Sequence, residues 1–179
     1  DDKKKRFIDE FKVSAYEATI LVSDIETAKY FEEVVAKMGK NRDMKLAVNW
    51  ITGELFAVLN NKNLEISESP ISAKNLAKLI NLIKNGTISG KIAKTIFELM
   101  MNGDKDPQVI VEEKGLKQES DPKALEALID KIINDNREKA IEYKNGKEKL
   151  FGFFVGQAMK VSGGKANPQL INEILKKKL

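Results

Sequence analysis

Lys149, Lys160, Gly164, Lys165 and Asn167 have the types and spacing to hold an anion. Ser162-Gly163-Gly164-Lys165 breaks an apolar run, and Asn167-Pro168 then starts a new helix. Asn is a strong helix cap, and Pro suits the first helical position because the amide it lacks would have no helical partner there. Such a start offers N–H groups and the positive end of the helix dipole. Next to a glycine pair and a lysine, it is a recipe for gripping phosphate. Lys149 and Lys160 stand about three helical turns apart and so share a face. With Lys165 in the following turn they could track a nucleic-acid backbone. Ser89-Gly90-Lys91, with Lys94, is a weaker example of the same glycine-lysine helix start. The alternative is an ordinary capped turn between packed helices, with lysines that only solubilise the surface.

Reaction chemistry has little to work with. The 179 residues contain no Cys and no His, which removes disulfides, Cys/His zinc sites, thiol nucleophiles and any Ser-His-Asp triad. Glu32-Glu33 and Glu112-Glu113 are sequence neighbours, so on a helix they point to different sides and cannot act as a facing pair. Asp104 and Asp106 could hold a hard cation loosely, but their turn context suits capping better. No phosphate-binding loop, dinucleotide fingerprint or paired-carboxylate motif is present. We assign no catalytic and no metal-binding residue.

Composition bounds the class. At 42% hydrophobic and 32% charged residues, the chain can build a core and a well-solvated surface, as one ordinary domain or two small ones. The net charge of +4 is unevenly spread: residues 1–120 hold 19 basic and 19 acidic side chains, residues 121–179 hold 12 and 8. From Lys149 onward six lysines face one acid, Glu173. A basic patch on a neutral carrier suits a polyanionic partner. The apolar run Leu150–Met159 is too short to cross a bilayer, and no signal-peptide pattern opens the chain, so no membrane role is expected. The absence of Cys fits a cytoplasmic protein. Without an initial Met, the chain is expected to be a piece of a longer one.

The elements that must position these residues read as helices throughout. Ser14 caps a helix through Ile20-Leu21, and Ser23 with Glu26 forms a capping box for one ending at Gly39. Asp43 caps a helix to about Leu59, in which Trp50 is expected in the core. Leu64–Pro70 reads as an extended connector. Ser72 opens a helix to Lys84, Ser89-Gly90 one to Met101, and Asp106-Pro107 a short one to Lys114. Strand signals are nearly absent. Beyond a polar stretch at Leu116–Ser120, helices are predicted over 122–134, 136–145, 147–161 and 168–178. The spacing Gly152-x-x-x-Gly156 predicts close packing of another helix. The expected fold is all-α: a multi-helix domain over 1–117 and a small helical bundle over 118–179.

Six motifs are more particular: NWITGEL (Asn49–Leu55), ESPIS (Glu68–Ser72), GTISGKIAK (Gly86–Lys94), EEKGLKQ (Glu112–Gln118), GFFVGQAMK (Gly152–Lys160) and GKANPQL (Gly164–Leu170). In order and spacing the chain resembles the C-terminal half of the GatB family, the B subunits of tRNA-dependent amidotransferases, including their YqeY-like tail. The resemblance covers essentially the whole chain. It implies a parent enzyme that amidates Asp-tRNA(Asn) or Glu-tRNA(Gln), with glutamine as nitrogen donor and ATP activating the carboxylate. It also implies the A and C subunits of that enzyme as partners. ATP, magnesium and, in some members, zinc would belong to a cradle domain outside this chain. The piece in hand would be non-catalytic and would bind and position tRNA. The alternative is a protein-interaction module that docks on the catalytic domain or other subunits without touching RNA. Two departures stand out: Met44 where many relatives have Pro, and Gly163 where relatives often carry a basic residue.

Overall fold

The computed structural model describes residues 1–40 and 42–179, and among these it is all-α, with one isolated parallel bridge between Glu119 and Ala166. The chain divides into two compact units.

The first unit comprises Asp1–Asn85 and Ala93–Lys114. It holds α1 (Asp2–Phe11), α2 (Ala15–Leu21), α3 (Ile25–Met38), α4 (Met44–Asn49), α5 (Phe56–Asn61), α6 (Ala73–Lys84), most of α7 (Gly90–Met101) and α8 (Pro107–Lys114). Side chains that bond the free amides of the first turn set most of the helix starts. Ser14 and Glu17 form a reciprocal capping box, Asp43 accepts from the Leu46 amide at 3.0 Å, and Ser72 accepts from the Asn75 amide at 3.2 Å. Asp43 caps α4 although Met44, not Pro, follows it. At α3 the cap is Asp24, not Ser23. Asp24 accepts from the Glu26 amide at 3.0 Å and from the Thr27 hydroxyl at 2.6 Å, while the Ser23 hydroxyl donates back to the Ile20 carbonyl. A carboxylate that can take both bonds outcompetes the hydroxyl beside it. The Leu64–Pro70 connector contains a short 3₁₀ turn, Ile66–Glu68.

The core of this unit joins α1 to α3 through Phe7, Phe11 and Phe31, whose ring centroids lie 5.2–5.5 Å apart. Helix α3 packs along α6. Between α4 and α5 the rod continues as a π-helical segment, Trp50–Leu55, that buries Trp50, Ile51 and Leu55. Trp50 is core as expected, 5.5 Å from the Phe97 ring. Asp104 and Asp106 serve structure. Asp104 accepts from the Ser72 amide and the Asn75 side chain, and Asp106 pairs with Lys78 at 2.5 Å and accepts from the Gln108 amide.

The second unit comprises Gly86–Ile92 and Gly115–Leu179. The seven residues Gly86–Ile92, a loop and helix start, thus cluster with the C-terminal helices. Those helices are α9 (Pro122–Asp135), α10 (Arg137–Lys144), α11 (Leu150–Val161) and α12 (Pro168–Lys178). Asp121 caps α9 by accepting from the Lys123 amide, with Pro122 at the first helical position. Leu125, Ile129 and Ile132 of α9 meet Phe154 and Ala158 of α11 and Ile171 and Leu175 of α12 in one buried cluster. The C-terminal lysines are not a loose end: α12 runs to Lys178, which bridges Glu126 at 3.0 Å and Asp130 at 2.8 Å on α9. Gly152 and Gly156 overturn one expectation. Both are exposed, and a Cβ added at either would meet nothing within 4 Å, so no described helix packs on them.

Candidate nucleic-acid interface

The site is built on the turn from α11 to α12. Helix α11 ends at Ser162, and Gly163 and Gly164 follow at φ 64° and 82°, a backbone that glycine adopts without strain. The turn is stitched to the linker before α9. The Glu119 amide donates to the Lys165 carbonyl at 2.7 Å, and the Asn167 amide donates to the Glu119 carbonyl at 2.9 Å. One residue earlier, the Gln118 amide donates to the Thr87 carbonyl at 2.6 Å. The two most particular motifs, GTISGKIAK and GKANPQL, thus meet across one short extended linker.

The amides of this turn are all engaged. Those of Gly163, Gly164 and Lys165 donate to the carbonyls of Lys160, Met159 and Ser162, and that of Ala166 to the Ser162 hydroxyl. Pro168 has no amide proton. The amides of Gln169 and Leu170 reach the Asn167 side-chain oxygen at 3.1 and 3.5 Å. That leaves no open amide cradle for an anion, contrary to the backbone half of the expectation. Asn167 is engaged as well: its side-chain nitrogen donates to the Ser120 hydroxyl at 3.3 Å. It fixes the turn.

The cations are differently placed. Lys91 lies against the turn, its Cδ 3.6 Å and its Nζ 4.0 Å from where a Cβ on buried Gly164 would stand. Lys165 is half-buried in the turn itself, while Lys91, Lys149 and Lys160 are exposed. Among the described residues, no carboxylate lies within ion-pair distance of these four lysines. Lys147, by contrast, pairs with Glu142 at 2.6 Å. Lys94 belongs to the first unit and pairs with Glu54 at 3.4 Å, unlike Lys91.

Helix α11 adds a feature that spacing alone assigns to packing. Lys149, Gly152, Gly156 and Lys160 follow one another at three- and four-residue steps and so form one stripe along the helix. The stripe carries a cation near each end and bare backbone between. Lys149 and Lys160 are separated by about 16 Å along the axis, at about 1.5 Å per residue. The second unit as a whole holds 14 Lys or Arg against 9 Asp or Glu, so the excess positive charge lies on the unit that carries this stripe.

Comparison with known proteins agrees with the six motifs. The family model described as the GatB domain matches residues 29–179. Over its full 179 residues the chain is 96% identical to the B subunit of the aspartyl/glutamyl-tRNA(Asn/Gln) amidotransferase of Pelagibacter ubique and covers 36% of that protein. It is 51% identical over 179 residues to the subunit of the same name from Thioalkalivibrio sulfidiphilus, covering 37% of it. It is 50% identical over 177 residues to that from Ehrlichia chaffeensis, covering 36%. The chain spans little more than a third of the length of these curated relatives. With the match running through most of α3 and every later helix, the chain belongs to the GatB domain family.

Proposed function

We propose that this chain is the part of an amidotransferase B subunit that holds the body of a tRNA, and that reaction chemistry takes place elsewhere in the parent enzyme. Contact would run through phosphates, with Lys91, Lys149, Lys160 and Lys165 as the cations. One observation carries the reading: the fold leaves these four lysines without carboxylate partners among the described residues and sets Lys91 against the turn that holds Lys165. A folded RNA offers side chains little sequence detail in its deep major groove, so phosphate and shape readout suits it. Asn167 supports the site by shaping the turn. We place ATP and magnesium outside this chain, since Asp104 and Asp106 are committed to caps and an ion pair. The A and C subunits of the parent enzyme are the expected protein partners, in the cytoplasm.

The test is a filter-binding titration of the chain against tRNA at several salt concentrations. Each lost phosphate contact should flatten the slope of log K against log salt by about 0.7–0.9. Affinity that ignores salt, or that is unchanged in the double variant Lys160→Ala with Lys165→Ala, overturns the reading.

A second reading has its own observation. Tyr16 and Ile25 are 76% and 68% exposed in the first unit. Large exposed apolar side chains suit docking on another protein surface. If docking is the main role, Tyr16→Ser with Ile25→Ser weakens capture of the A and C subunits without RNA present. The lysine variants then leave that capture unchanged.

A further inference from the structure

The turn between α10 and α11 carries an aromatic ring that the core does not use. Tyr143, in the last turn of α10, is half-exposed and lies outside the residues packed on the buried cluster of the second unit. Its ring is 6.1 Å from that of Phe151, which does pack on the cluster. Phe151 therefore supports Tyr143 from the core side. The Tyr143 hydroxyl has no hydrogen-bond partner among the described residues, whereas the Tyr30 hydroxyl donates to the Ile71 carbonyl at 2.8 Å. The ring of Phe153 is already covered, with the Lys139 ammonium 3.8 Å from its centroid.

The turn is firm. Four amides are bonded within the turn: Gly146 to the Tyr143 carbonyl at 3.0 Å, Lys147 to Glu142 at 3.1 Å, Glu148 to Gly146 at 2.9 Å and Leu150 to Lys147 at 3.1 Å. Lys147 neutralises Glu142 at 2.6 Å. That leaves exposed Lys144 and Lys149 as cations without carboxylate partners among the described residues, against the single exposed acid Glu148. Lys149 is also the first residue of the lysine-glycine stripe along α11. A supported ring with these two cations close to it in sequence, at one end of a cationic track, has the parts that single-stranded nucleic acid uses: a stacking surface and backbone charge.

We propose that Tyr143, backed by Phe151 and flanked by Lys144 and Lys149, is a stacking site for one unpaired nucleobase of the RNA bound along α11. The proposal rests on the RNA-binding reading above and adds to it a base-contacting residue and a requirement for an unpaired nucleotide. The occupant is an RNA base and not a protein segment, because the residues around the ring in sequence are lysines, Lys144, Lys147 and Lys149, and the unit that carries it holds the excess positive charge.

The test uses the full chain and two RNAs of equal length, a hairpin with an unpaired loop and a blunt, fully paired duplex. Tyr143→Leu should bind the hairpin about five- to a hundredfold more weakly and bind the duplex as the parent chain does. Tyr143→Phe keeps the ring and should bind both RNAs normally. The salt slope should not change in either variant, because stacking releases no counterions. Ultraviolet crosslinking of the unaltered chain to the hairpin, read by mass spectrometry, should place an adduct on Tyr143. If Tyr143→Leu binds the hairpin normally while Lys160→Ala with Lys165→Ala still weakens it, the stacking site is wrong and the phosphate reading stands. If the lysine pair has no effect either, both fall. Should Tyr143→Leu fail to fold, the crosslink decides: an adduct on Tyr143 supports the site, and adducts only elsewhere overturn it.

Discussion

The aliphatic stem of Lys91 crosses the backbone of Gly164, with Cδ 3.6 Å and Nζ 4.0 Å from the place a Cβ would occupy. Two residues 73 positions apart thus share one small surface, and neither could be assigned to it from its local sequence. Gly164 has φ 82°, so any other residue there is strained whatever space it finds. We expect Gly164→Ala to destabilise the second unit by about 1–2 kcal/mol, read from the denaturant midpoint. The added methyl would meet the Lys91 stem at ordinary contact distance, so tRNA binding should weaken no further than the stability loss explains.

Asn167 allows stability to be separated from recognition. Asn167→Ala removes a cap and the bond to Ser120, and should cost about 1 kcal/mol in a thermal or denaturant melt. Asn167→Asp keeps a capping oxygen but places a negative charge beside Lys165. Its melt should stay near that of the parent, while tRNA affinity falls most at low salt, where screening is weakest.

Lys178 is the control cation. It belongs to an ion-pair cluster with Glu126 and Asp130, and the bonds it donates to Asp130 and then to Glu126 hold its ammonium above the usual lysine range. A raised folded value means its contribution is fully present below the unfolded value, near 10.5, and is lost as pH climbs through the folded value. Thermal melts from pH 8 to 12 should therefore show an alkaline loss of stability that Lys178→Met reduces. The same variant should leave the salt slope of tRNA binding unchanged, unlike Lys160→Ala or Lys165→Ala.

Acid should loosen the first unit through Asp24 and Asp106. The Thr27 hydroxyl chiefly holds Asp24 low, and the hydrogen bond from Lys78 chiefly holds Asp106 low. For such depressed carboxyls the stabilisation is present above the unfolded value of 3.8 and disappears as pH falls through the folded value. Asp106→Asn should flatten that acid limb in melts between pH 2 and 5.

Phe154 is fully buried at the centre of the second unit's cluster. Phe154→Ala should cost about 3–5 kcal/mol there. Trp50, the one tryptophan, is buried in the first unit and reports on it alone. In this variant helix loss by circular dichroism should begin at lower denaturant than the change in tryptophan fluorescence. A single coincident transition would show that the two units melt as one.

Local chemistry was legible and distant pairing was not. Ser14, Asp43, Ser72, Asp121 and Asn167 announce helix starts because a cap works through amides two or three residues on. Ser23 and Asp24 are both competent caps, and only geometry chose the carboxylate that also reaches Thr27. Nothing in the order of residues distinguishes the π segment at Trp50–Leu55 from the helix around it. The all-α class followed from caps and apolar spacing. Gly152 and Gly156 look like packing residues because spacing shows which residues share a face, not whether that face is covered. The lysines stand out by type, but their lack of acidic neighbours depends on residues far along the chain. Tyr143 carried no signal, since an isolated tyrosine at a helix end resembles any other.

The hydrogen bond from Gln118 to Thr87 sets a rule for dissecting this chain. A C-terminal fragment begun at Gly115 would lose Thr87 as an acceptor and Lys91 as a cover for Gly164. Anyone who grafts or expresses the last four helices alone would be handling an incomplete object, and should carry Gly86–Ile92 along with them.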